Sequence, residues 1–110
     1  IPEVIFSVAN ADRLATAADI EITVNGHALI YGPFSPSPRG KYLYFSSRIP
    51  EKKMVIRVVS RSGDSVLDVE RTVIVENRAW VVITRLERDG VAEIEIAVSY
   101  EKPMKTSIEK

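Results

Sequence analysis

MVIRVVSRSGDSVLDVERTVIVENRAWVVITRLERDGVAEIEIAVSY, residues 54–100, alternates apolar with charged residues in runs separated by Ser62-Gly63, Asn77-Arg78 and Arg88-Asp89-Gly90. A period of two sends successive side chains to opposite faces, so the stretch specifies an antiparallel meander with one oily face. Its register follows from the turns. A two-residue Ser62-Gly63 turn sets Arg61 against Asp64 and Arg57 against Asp68, leaving Ile56, Val58, Leu67 and Val69 together on the other side. An Asn77-Arg78 turn sets Val75 against Trp80 and Val73 against Val82. A three-residue loop with Gly90 left-handed sets Arg85 against Glu93 and Val82 against Ile96. The three choices agree on one core face, completed by Ile94, Val98 and Tyr100.

Upstream, Val4, Phe6 and Val8 alternate as in a strand, and Asn10 to Ala18 is small and polar, suiting a link or one helical turn. Ile20, Ile22 and Val24 lead into Asn25-Gly26, a strong hairpin signal because both positions tolerate positive φ. His27 to Gly32 is the return strand. Gly32 to Gly40 contains Pro33, Pro36 and Pro38, which cannot donate to a ladder, and reads as an ordered loop or crossover between sheets. Lys41 to Ser47 is a further strand, ended by Ile49-Pro50.

One sheet cannot bury its own oily face, so the N-terminal strands must cover it. The expected fold is all-β: a two-layer antiparallel β-sandwich of seven or eight strands, immunoglobulin-like or prealbumin-like, nearly free of helix. A five-stranded barrel is the second choice. Residues 1–100 form one domain and Glu101 to Lys110 a charged tail.

Fifteen basic against fifteen acidic residues cancel, which removes the main free-energy source for binding nucleic acid or an anionic membrane. The absence of cysteine removes disulfides and thiolate metal sites. No apolar run approaches the roughly 20 residues of a membrane helix. The chain begins at Ile1, as expected of a processed or trimmed product. The Asn-Gly hairpin, the proline-rich segment, Gly40-Lys41-Tyr42 and Trp80-Val81-Val82-Ile83-Thr84 together resemble small secreted β-sandwich modules of bacterial lipoproteins. That resemblance implies an extracytoplasmic location, periplasmic or on the cell surface, with a lipid anchor supplied by a removed leader. Composition alone is equally compatible with the cytoplasm.

Chemistry-bearing residues are sparse. His27 is the sole histidine and has no evident nucleophile to serve. Glu93 and Glu95 share a face at strand spacing, but Arg85 and Thr84 beside them favour surface ion pairing over a glycosidase pair. Asp64, Asp68 and Glu70 lack a calcium-loop motif, and acidic residues interleave with Arg57, Arg71 and Arg85. The sequence therefore predicts no catalytic, metal or cofactor site.

Two features point to binding. Tyr42 and Tyr44 share a face opposite Leu43 and Phe45, and Val55, Val59, Val66, Ile74, Val81 and Ile83 make the supposedly wet side of the meander oily. The expected interaction surface is Tyr42, Tyr44, Val55, Val59, Ile74, Val81 and Ile83. The expected function is a non-catalytic module that meets a protein partner, or a second copy of itself, through a sheet face or an edge strand. The alternative is a carbohydrate or small-ligand module built on Tyr42, Tyr44 and Trp80.

Overall fold

In the computed structural model, which describes residues 1–11, 17–35 and 42–102, the period-two runs become eight strands with no helix among the described residues. They are β1 (Glu3–Asn10), β2 (Ala18–Val24), β3 (His27–Phe34), β4 (Leu43–Arg48), β5 (Lys53–Ser62), β6 (Ser65–Ile74), β7 (Arg78–Arg88) and β8 (Val91–Ser99). Sheet I has the order β4-β1-β7-β8 and sheet II the order β3-β2-β5-β6. The fold is thus an eight-stranded two-layer sandwich.

Alternation fills the space between the layers. Val4, Phe6 and Val8 of β1, Val81 and Ile83 of β7, Ile20 and Ile22 of β2, and Met54, Ile56 and Val58 of β5 are all fully buried. Phe6 stacks on Phe45 of β4, with ring centroids 4.9 Å apart and planes 12° from parallel. Asn10 Nδ2 donates to Phe34 O at 3.1 Å, joining sheet I to sheet II at one end. On the far side, Arg71 of β6 donates through Nη1 to Ile96 O of β8 at 2.6 Å.

The meander differs from its predicted form at all three turns. The β5–β6 turn is Gly63-Asp64, because Ser62 pairs with Ser65. Only Gly63 of the two has positive φ, 59°, as a type II′ turn requires. This offset of two residues keeps every side chain on its predicted face. Arg57 now lies opposite Glu70, yet its guanidinium reaches diagonally and donates from Nε to Asp68 Oδ1 at 2.9 Å and from Nη2 to Asp68 Oδ2.

The β7–β8 turn is the two-residue Asp89-Gly90, with φ of 55° and 80°, and Arg88 pairs with Val91. Shortening the predicted loop by one residue turns β7 over. Val81 and Ile83 therefore enter the core, whereas Trp80 and Val82, predicted inside, stand on the outer face and are half-buried. Arg85 turns inward with them, so it does not meet Glu93; it is 4% exposed and lies beside Asn10 in the β1–β7 ladder.

Asn77-Arg78 is not a hairpin. Val75 to Asn77 carries the chain from sheet II to sheet I, tied by Val75 N to Lys52 O at 2.8 Å and by Glu3 N to Asn77 O at 2.9 Å. Strand β7 then pairs in parallel with β1. Among the described residues the other five pairings are antiparallel. In the constant-type immunoglobulin arrangement the first strand shares a sheet with the second. Here β1 and β2 lie in different sheets, so the strand order departs from that arrangement. Tyr100, predicted in the core, is exposed. The expected proline-rich crossover lies outside the described residues beyond Ser35; Pro33 itself sits in β3, an edge strand, where its missing N–H is tolerated. Residues 103–110 of the expected tail also fall outside the described residues.

The Arg57–Asp68 pair yields a pH prediction. The hydrogen bond from Arg57 holds the Asp68 carboxyl below the usual carboxylate range. A depressed folded-state pKa stabilises the protein above the ordinary carboxylate value, and that contribution is lost as the pH falls through the depressed one. Both partners are solvent-exposed, so the effect is small. Urea unfolding of wild type and Asp68→Asn should therefore show a modest deficit for the variant at neutral pH that closes on acidification. A deficit independent of pH would exclude the pairing as its cause.

Candidate functional site

The outward sides of the two sheets differ in character. On sheet II every central row carries charge. One row runs Tyr31–Glu21–Val59–Asp68, the next Ala28–Thr23–Arg57–Glu70, and a third Pro33–Asp19–Arg61–Val66. Isolated apolar residues among them are covered by their neighbours: Val59, on the central strand β5 between Glu21 and Asp68, is buried.

On sheet I the two central rows carry no charge. One runs Tyr44–Ser7–Val82–Ala97 and the other Ser46–Ile5–Trp80–Ser99. Charges occur only around them. Arg48, Glu3 and Arg78 form the row at one end, with Arg78 Nε 3.0 Å from Glu3 Oε1. Toward the other end Arg88 reaches Glu95 Oε2 at 2.9 Å and Glu93 Oε1 at 3.5 Å. The result is an uncharged centre that sets Ile5, Trp80, Val82 and Tyr44 among serines, inside a charged rim, a composition that favours contact with another surface.

Tyr44 is 68% exposed. It points outward because Phe45, its neighbour in the chain, is drawn inward onto Phe6. The Tyr42 ring lies beside it, with centroids 6.3 Å apart and planes at 44°. Trp80 joins this face through the short Asp89-Gly90 turn that reverses β7, and Ile5 stands between Trp80 and Ser46.

The structure therefore divides the predicted interaction surface. Tyr42 and Tyr44 belong to the sheet I face. Val55, Val59 and Ile74 belong to sheet II, on the opposite side of the sandwich, where Ile74 is 51% exposed and Val55 half-buried. Val81 and Ile83 are no surface at all but fully buried core. Ile5 and Val82 were missed. The signal for Ile5 was present in the run Val4-Ile5-Phe6, which is apolar on both faces of one strand.

The chemistry-bearing candidates do not converge. His27 starts β3 at the Asn25-Gly26 end of sheet II, whereas Glu93 and Glu95 lie on β8 of sheet I and pair with Arg88. No group of three or more histidine or acidic side chains is placed to hold a metal ion among the described residues. No helix among the described residues is long and apolar enough to cross a membrane.

No family model and no curated protein matches the chain. Solved structures resemble it weakly. A proposed cell adhesion protein from Bacteroides ovatus aligns with 88% of this chain and 44% of its own, at 11% identity and a TM-score of 0.47. The membrane-binding domain of pneumolysin aligns over 91% of this chain and 98% of its own, at 13% identity and a TM-score of 0.39. The chain thus spans less than half the length of the first of these neighbours.

Proposed function

We propose that this domain is a non-catalytic interaction module that buries the outer face of sheet I against a protein partner or a second copy of itself. The observation that supports the reading is the contrast between the two outer faces: charged rows on sheet II, uncharged rows around Ile5, Trp80, Val82 and Tyr44 on sheet I. Burial of tryptophan and tyrosine inside a polar rim is where binding energy concentrates in interfaces. The same proposal places the domain outside the cytoplasm, supported by the resemblance to lipoprotein modules, and fractionation of the expressing cell tests that placement.

Trp80 is the only tryptophan, so its emission reports on this face alone. Association should shift the emission to the blue and increase the sedimentation coefficient with protein concentration, and Val82→Asp should remove both changes. Wild-type protein that stays monomeric at millimolar concentration would eliminate self-association and leave a heterologous partner. Partner binding that survives both Val82→Asp and Tyr44→Asp would sink the proposal.

A carbohydrate-binding reading is supported by a separate observation, the placement of Tyr42, Tyr44 and Trp80 on one outer face. Aromatic faces stack on sugar rings. Titration with a broad glycan panel should then perturb Trp80 emission; a flat response removes this reading.

A further inference from the structure

We infer that Asn25-Gly26 is a deamidation site whose chemistry is gated by β5, so that spontaneous conversion of Asn25 proceeds only when the β2–β3 turn opens. Val24 pairs with Ile56 in the β2–β5 ladder, and the next rung would be Asn25 with Val55. Asn25 cannot supply that rung with its backbone alone, because its φ of 51° turns the chain into the hairpin. Its backbone N donates to Val55 O at 3.0 Å, and its side chain completes the rung: Val55 N donates to Asn25 Oδ1 at 2.8 Å. The carboxamide nitrogen is engaged as well, donating from Nδ2 to Lys53 O at 3.2 Å and to Glu51 Oε1 at 3.2 Å.

Gly26 supplies the other half of the site. It has no side chain to obstruct its own nitrogen, and a Cβ built on it would meet nothing within 4 Å. Deamidation begins when the deprotonated Gly26 nitrogen attacks Asn25 Cγ. A nitrogen–carbon bond forms, Nδ2 takes a proton from water as the Cγ–Nδ2 bond breaks, ammonia leaves and a succinimide remains. Water then opens either carbonyl, giving aspartate or isoaspartate at this position. Attack requires the carboxamide to rotate over the Gly26 nitrogen, and in the folded state three hydrogen bonds hold it over β5 instead. Local opening must come first.

The product cannot return to the clamp. A carboxylate can still accept from Val55 N, but it has no donor for Lys53 O and sets a second negative charge beside Glu51. Because ammonia has left, conversion is irreversible, and the loss of the Nδ2 donors loosens the β2–β5 end of sheet II.

The test is to incubate the full chain in mildly alkaline buffer, native or unfolded in urea, and follow a one-dalton mass gain. Peptide mapping separates Asn25 from Asn10 and Asn77, the other two asparagines. Native protein should convert at Asn25 at least about tenfold more slowly than unfolded protein. Glu51→Ala, which deletes one acceptor, should raise the native rate alone. Equal native and unfolded rates in the wild type would overturn the inference. As a second readout, Asn25→Asp should melt roughly 5 °C below wild type, a shift typical of losing one or two hydrogen bonds in a domain of this size. An unchanged midpoint would show that the carboxamide donors hold nothing in place.

Discussion

Val81→Asp should unfold the domain, whereas Val82→Asp, one residue along the same strand, should fold and melt close to wild type. Val81 is fully buried and belongs to the apolar core cluster between the sheets. A carboxylate there has no partner, and an uncompensated charge in an apolar interior costs about 3–5 kcal/mol or more. That is comparable with the total stability of a small domain, about 5–15 kcal/mol. Val82 points out of sheet I between Ser7 and Ala97, so its aspartate keeps access to water and should cost about 1 kcal/mol or less. Circular dichroism with urea unfolding separates the two directly. Should Val82→Asp prove the more damaging, β7 would be facing the other way and the sheet I surface would not exist.

That pair of substitutions also shows how far local sequence determines this fold. Alternation identified the strands, and it placed Ile56, Val58 and Val73 correctly inside because an offset of two residues at Gly63-Asp64 leaves faces unchanged, although Val59, read as outer surface, is buried as well. It failed on β7 through the length of one loop. Asp89-Gly90 is as good a two-residue signal as Asn25-Gly26, but including Arg88 in the loop moved every β7 side chain to the wrong face. Charge gave no warning, because Glu93 and Glu95 find a basic partner in either register: Arg85 in the predicted one, Arg88 in the structure.

The crossover at Val75 to Asn77 and the parallel β1–β7 pair were less accessible still. The β1–β7 pair joins residues 75 positions apart, Glu3 with Arg78 through Asn10 with Arg85, and period-two patterning carries no information on which strand lies beside which. The interaction surface was legible in the same measure. Tyr42 and Tyr44 could be assigned to one face from their spacing, whereas the residues beside them could not be named until β7 was known to pair with β1 and to present Trp80 and Val82 outward.

Phe6→Ala carries the second large expected effect, and it connects the core to the surface. Phe6 is fully buried on β1, the strand hydrogen-bonded to both β4 and β7. Truncating a buried phenylalanine typically costs about 3–5 kcal/mol, from lost transfer energy and from the cavity left behind. The stacked contact with Phe45 falls within that loss, since aromatic pairs add about 0.5–1.5 kcal/mol beyond area burial. Phe45→Ala should cost less, because Phe45 is only half-buried. The two changes should be less than additive in a double-mutant cycle, each removing the same ring contact. Strand β4 is an edge strand, and the Phe6–Phe45 stack seats it with Tyr44 turned outward. Phe45→Ala should therefore weaken binding at the sheet I face even where the domain stays folded, an effect that Phe45→Leu, which keeps the position apolar and filled, should largely spare. Strict additivity of the two alanine changes, or undiminished binding by folded Phe45→Ala protein, would show that the stack does not position Tyr44.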